Sequence, residues 1–87
     1  MNENTVTAEV ICPASSGTYD FIIDCRLKIS ELMKIFTEQI RIYEKNKLLF
    51  SGKYNPRLYC SELRLPLDPE MTLDEYGLRN GCRLMII

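Results

Sequence analysis

Four cysteines, a pair of adjacent acids and scattered serines are the side chains of this 87-residue chain that could do chemistry, and it contains no histidine. Cys12, Cys25, Cys60 and Cys82 lie far apart, with no C-x-x-C pair and no imidazole to complete a zinc site, so no metal is expected. A serine or cysteine nucleophile needs a positioned base beside it, and the usual acyl-transfer constellations rely on histidine for that role. Asp74-Glu75 reads as first-turn charge near a helix N-terminus rather than as a general acid and base. Gly17, Gly52, Gly77 and Gly81 are isolated turn glycines without the spacing that cradles phosphate. The chain is therefore expected to be neither an enzyme nor a cofactor carrier.

Four cysteines could form two disulfides. The start Met1-Asn2-Glu3-Asn4-Thr5, however, has neither the basic nor the apolar region of a secretion signal, so small, partly buried free thiols and a cytoplasmic location are expected. Hydrophobic residues make up 46% of the chain and charged ones 26%, a globular balance, and no apolar run approaches the ~18 residues of a membrane span. Eleven Lys/Arg against twelve Asp/Glu leave a net charge of -1, which supplies none of the attraction that a phosphate backbone requires, so nucleic acid is not an expected partner. The length fits one compact domain spanning residues 1–87.

The elements that would position any site follow from periodicity. Val6, Ala8, Val10 and Cys12 alternate with Thr7, Glu9 and Ile11, predicting a strand over residues 5–12. Pro13-Ala14-Ser15-Ser16-Gly17 marks a turn, and residues 18–24 then alternate again, so a hairpin is expected. From residue 28 to 43 the period becomes helical: Ile29, Leu32, Met33, Phe36, Ile40 and Tyr43 form one stripe, with Glu31, Lys34, Glu38, Arg41 and Lys45 on the opposite face. Leu48-Leu49-Phe50-Ser51, closed by Gly52, reads as a third strand, and Tyr54-Asn55-Pro56 as a turn. Leu58, Cys60, Leu63, Leu65 and Leu67 alternate only in part, and Pro66 and Pro69 restrict residues 57–69 to an edge strand or an extended loop. Thr72 caps a short turn, Asn80-Gly81 is a turn, and residues 82–87 are a last strand. The predicted fold is α+β, a mixed sheet of four to five strands with one helix across one face.

These blocks resemble ubiquitin. Leu48-Leu49-Phe50-Ser51-Gly52-Lys53 is similar to its third strand and the following turn, and Thr72-Leu73-Asp74-Glu75-Tyr76-Gly77-Leu78 to the turn before its last strand. The resemblance implies a ubiquitin-like β-grasp fold. Within that class, Tyr76-Gly77-Leu78-Arg79-Asn80-Gly81-Cys82-Arg83-Leu84 is most similar to the YukD and EsaB group of small bacterial proteins associated with type VII secretion. That similarity implies a noncovalent adaptor or regulatory component attached to a membrane-bound secretion complex. The alternative is a ubiquitin-like modifier or sulfur carrier, which needs a flexible Gly-Gly tail beyond the last strand, whereas this sequence ends at Ile87 within that expected strand. On this alignment about a dozen residues are inserted between Lys53 and Thr72, and residues 54–71 would carry contacts of their own.

If Leu48, Phe50, Leu84 and Ile86 point toward the helix, the period of two sends Leu49, Met85 and Ile87 to the other face, joined by Ile11 and Ile22. The resemblance places Leu49 and Ile87 where ubiquitin carries two members of its partner-binding patch. A contiguous apolar patch usually marks an interaction site. The expected partner is a protein, with Arg57 or Tyr59 at the rim of the contact. A second copy of the chain is the other occupant this face could take.

Overall fold

The computed structural model describes residues 4–52 and 55–87. Met1, Asn2 and Glu3 at the start, and Lys53 and Tyr54 of the expected turn region, lie outside the described residues. Alternation at residues 5–12 does make a strand, β1 (Thr5–Cys12), which buries Val6, Ala8, Val10 and Cys12. A short 3-10 turn at Pro13–Ser15 and a left-handed Ser16 reverse the chain into β2 (Gly17–Asp24). The two strands pair antiparallel in unbroken register from Thr5 opposite Asp24 to Cys12 opposite Gly17.

The helix α1 (Ile29–Glu44) packs Ile29, Leu32, Phe36 and Ile40 into the core, while Tyr43 at its last turn is exposed. No side chain caps its N-terminus. Instead the Ile29 and Ser30 N–H groups donate to the Met71 and Pro69 carbonyls at 2.8 and 3.0 Å, which ties residues 69–71 to the helix start. At the other end Lys45 is left-handed, and backbone bonds back to Arg41 and Ile42 close the helix.

The third strand is not where the alternation at residues 48–51 places it. Leu48-Leu49-Phe50-Ser51 forms turns: Leu48 is 77% exposed instead of pointing to the helix, and Leu49 packs partly buried against the core instead of facing solvent. Local polar bonds hold this shape. The Leu48 N–H donates to Asn46 Oδ1 at 3.0 Å, the Ser51 hydroxyl donates to the Leu48 carbonyl, and the Arg41 guanidinium donates to the Leu49 and Phe50 carbonyls.

The third strand is β3 (Leu58–Cys60), followed by the two-residue edge β4 (Leu65–Pro66). The extra chain relative to the expected alignment therefore lies before the third strand rather than after it. The last strand, β5 (Cys82–Ile86), sits at the centre, parallel to β1 and antiparallel to β3, and the sheet order is β2-β1-β5-β3-β4.

Asn80-Gly81 forms the expected turn, closed by the Cys82 N–H donating to the Arg79 carbonyl at 3.2 Å, and it leads into β5. Asn80 Oδ1 accepts the Thr7 N–H at 2.9 Å, and Gly81, at φ +82°, donates its N–H to the Thr7 carbonyl at 2.9 Å. Thr72 and Glu75 form a reciprocal capping box: each backbone N–H donates to the other's side-chain oxygen at 3.1 Å. The core is one cluster between α1 and the inner face of the sheet, and it includes Leu73 and Leu78 from the segment before β5.

Candidate protein-binding face

Residues directly opposite across paired strands present their side chains on the same face, so the registers assign the uncovered face row by row. Thr18 is opposite Ile11, Ile11 opposite Met85, Met85 opposite Tyr59 and Tyr59 opposite Pro66. This row crosses all five strands. Ile11, Tyr59 and Met85 are half-buried, whereas their neighbours along each strand are buried on the helix side. Ile87, 47% exposed, lies two residues beyond Met85 on the same side. It exchanges two backbone hydrogen bonds with Arg57, at 2.8 and 2.9 Å, and so puts exposed Arg57 at the rim of the band.

Five of the residues expected at the site thus come together: Ile11, Tyr59, Met85, Ile87 and Arg57. Two do not. Ile22 is on the same face and 76% exposed, but the next row along the strands is charged, with Asp20 opposite Glu9 and Glu9 opposite Arg83. The Arg83 guanidinium lies 3.6 Å from the Glu9 carboxylate and, with Asp20, separates Ile22 from the apolar band. Leu49 is not on the sheet at all, because residues 48–51 are turns beside the helix end. The place that the resemblance gave it on the third strand belongs to β3, whose outward residue is Tyr59.

The thiols behind this face are all free and buried. Burial pushes the Cys60 thiol up, and burial, with the Glu62 carboxylate and Cys60 adding, pushes Cys82 up to about 11. Both stay protonated at neutral pH, which makes them poor nucleophiles. Glu62 accepts the Arg83 N–H at 2.8 Å and the Cys60 S–H at 3.4 Å, and so ties the turn after β3 to β5. What the face offers is an apolar row with Arg57 at its rim and the charged row of Asp20, Glu9 and Arg83 beside it, an arrangement suited to docking.

A second set of exposed apolar residues escaped the periodicity reading. Ile35 and Ile42 stand on the outer side of α1, and Leu48 follows the helix end. Their seven-residue spacing within the charged face was the signal that could have revealed them.

No protein-family model and no curated protein matches the chain. Solved structures do. The ubiquitin-like domain of the Mycobacterium tuberculosis type VII secretion system protein EccD1 is 11% identical at a TM-score of 0.72, over 95% of this chain and 97% of that one. The EccD5 ubiquitin-like domain from Mycobacterium xenopi is 20% identical at a TM-score of 0.68, over 95% and 92%. A chain of the MycP5-free ESX-5 inner membrane complex is 20% identical at a TM-score of 0.69, where 97% of this chain covers 21% of that one. At these identities the likeness carries the architecture, and the fold is a ubiquitin-like β-grasp. Among the described residues no helix is long and apolar enough to cross a membrane.

Proposed function

We propose that this chain is a noncatalytic protein-binding module that docks a component of a bacterial type VII secretion system through the face formed by Ile11, Tyr59, Met85 and Ile87, with Arg57 at its rim. The observation that carries the reading is the apolar row itself: registers from four strand pairs bring it together on the side of the sheet that α1 leaves uncovered. The likeness to EccD ubiquitin-like domains and to a chain of the ESX-5 membrane complex supports the choice of partner class. Within it, the run from Tyr76 to Leu84 favours the YukD and EsaB group, acting as an adaptor or regulatory component on the cytoplasmic side of the membrane-bound machine.

The test is binding of the purified chain to an isolated type VII inner membrane complex, measured by biolayer interferometry. Tyr59→Asp and Met85→Asp should each weaken binding by about thirtyfold, the loss expected of a hot-spot side chain worth ~2 kcal/mol. Ile22→Asp, beyond the charged row, should leave it unchanged. Equal affinity for the wild type, Tyr59→Asp and Met85→Asp would remove the face from the mechanism.

A further inference from the structure

We propose that the free edge of β2 is a second docking site, which takes an extended peptide whose residues alternate between apolar and basic and adds it to the sheet as a sixth strand. The sheet has two edges, and they differ. β4 is two residues long and contains Pro66, the features that blunt an edge, whereas β2 runs for eight residues without a proline or lysine. The phase of its hydrogen bonds is fixed by the Cys25 N–H, which donates to the Asn4 carbonyl at 2.8 Å. In an antiparallel pair bonded and non-bonded pairs alternate, so Thr18, Asp20 and Ile22 turn their backbone N–H and C=O groups outward. Among the described residues, the Thr18, Asp20 and Ile22 N–H groups find no acceptor.

Beside that edge a groove of about 290 Å³ runs between β2 and α1, walled by Tyr19, Phe21, Gln39, Ile40 and Tyr43. Its walls are braced. The Tyr19 and Tyr43 rings meet edge-on at 5.7 Å, the Tyr19 hydroxyl bonds Ser15 at 2.7 Å and donates to Glu44 at 3.1 Å, and Phe21 rests on buried Phe36 at 4.7 Å. Alternate side chains of an added strand would lie over Tyr19 and Phe21 and enter this groove, which calls for apolar residues there.

The other side chains of the added strand would stand on the uncovered face, one of them directly opposite Asp20. Asp20 already faces Glu9 across the sheet, a like-charge pair, and Glu9 has Arg83 as its partner. No described residue forms an ion pair with Asp20. A lysine or arginine opposite it would complete the row as cation, Asp20, Glu9, Arg83. A second copy pairing edge to edge fits less well, because a register that sets Asp20 opposite Asp20 or Asp24 repeats the like-charge contact.

The experiment titrates the isotope-labelled full chain with the acetylated, amidated peptide Lys-Val-Lys-Ile-Lys-Val, with Glu-Val-Glu-Ile-Glu-Val and an alternately N-methylated Lys peptide as controls. The basic peptide should slow hydrogen exchange at the Thr18, Asp20 and Ile22 amides. The acidic peptide should bind about tenfold more weakly at low salt, and the N-methylated one should not bind. Asp20→Lys should invert the order of the two charged peptides. Ile22→Pro should fold, since its N–H serves no ladder bond, and should lose the peptide. Tyr59→Asp should leave peptide binding unchanged, so this site and the apolar face succeed or fail separately. Equal binding of the acidic and basic peptides, unchanged exchange at the three edge amides, or a concentration-dependent dimer in place of peptide binding would overturn the proposal.

Discussion

Removing the Arg41 side chain should release residues 46–51 from the helix and destabilise the whole protein by an amount that can be worked from its contacts. Arg41 Nε donates to the Leu49 carbonyl at 2.6 Å, Nη2 donates to the Phe50 carbonyl at 3.3 Å, and the guanidinium carbon lies 5.8 Å from the Phe50 ring centroid. The short charged bond is worth about 1.5–3 kcal/mol, and the longer bond and the cation–π contact each add less than about 1 kcal/mol. These contacts also hold Phe50 at φ +62°, a left-handed conformation that a bulky residue keeps only when its surroundings enforce it. Arg41→Ala should therefore cost about 2–3 kcal/mol, a fall in Tm of about 8–24 °C for a domain of this size. Arg41→Lys keeps the charge but loses the planar fork, and should recover less than half of that. Thermal and urea unfolding followed by circular dichroism would give the cost. Hydrogen exchange would locate the loosening at residues 46–51. If Arg41→Lys unfolded with the wild type, or if Arg41→Ala shifted Tm by less than about 2 °C, the guanidinium would not be what holds this turn.

Two further outcomes follow from the geometry. Thr72→Ala removes one half of the capping box with Glu75 and should cost ~1 kcal/mol, or about 4–8 °C in Tm, while Thr72→Ser should stay close to the wild type. Burial holds the Cys82 proton in the folded state until pH about 11, whereas the unfolded chain releases it from pH ~8.5, so the native state binds more protons in that window. The contribution of Cys82 to stability is thus complete below pH ~8.5 and is lost as pH rises toward 11, so the gap in urea midpoint between wild type and Cys82→Ala should narrow on that alkaline limb.

Most of the fold is legible in the sequence because most of its elements are locally encoded. Alternation at residues 5–12 and 18–24 and the three- and four-residue steps from Ile29 to Ile40 depend on short-range pattern, and each element forms within a residue of its expected bounds. The third strand is different. Leu48-Leu49-Phe50-Ser51 and Leu58-Tyr59-Cys60 are both short apolar runs, and local pattern favours the first. The choice between them is made at a distance: β5 is central and needs an antiparallel partner opposite Leu84, Met85 and Ile86, and Leu58, Tyr59 and Cys60 take those places. Meanwhile Asn46, Ser51 and Arg41 supply residues 48–51 with hydrogen bonds that a strand would have to give up. The same non-local choice explains the site. The period of two correctly puts Ile11, Met85 and Ile87 outward, but which of them are neighbours depends on register, and register also puts a charged row between Ile22 and the rest.

Placing the extra chain before β3 rather than after it has a consequence for both proposed surfaces. Phe50, Asn55 and Pro56 lie with Pro69 against Ser30, Met33, Thr37 and Arg41, along one flank of α1. On that flank the chain itself borders the helix, leaving a groove of about 310 Å³ between them. The other flank, toward β2, has no such segment, and the groove lined by Tyr19, Phe21 and Tyr43 stays open there. Nor do residues 46–52 cross to the uncovered face, since Arg41 holds their carbonyls on the helix side. An insertion after β3 would have hung beside Tyr59 and could have covered it. The observed placement instead puts Phe50, Asn55 and Pro56 beside the helix, and it leaves the apolar row and the β2 edge available at the same time on separate parts of the molecule.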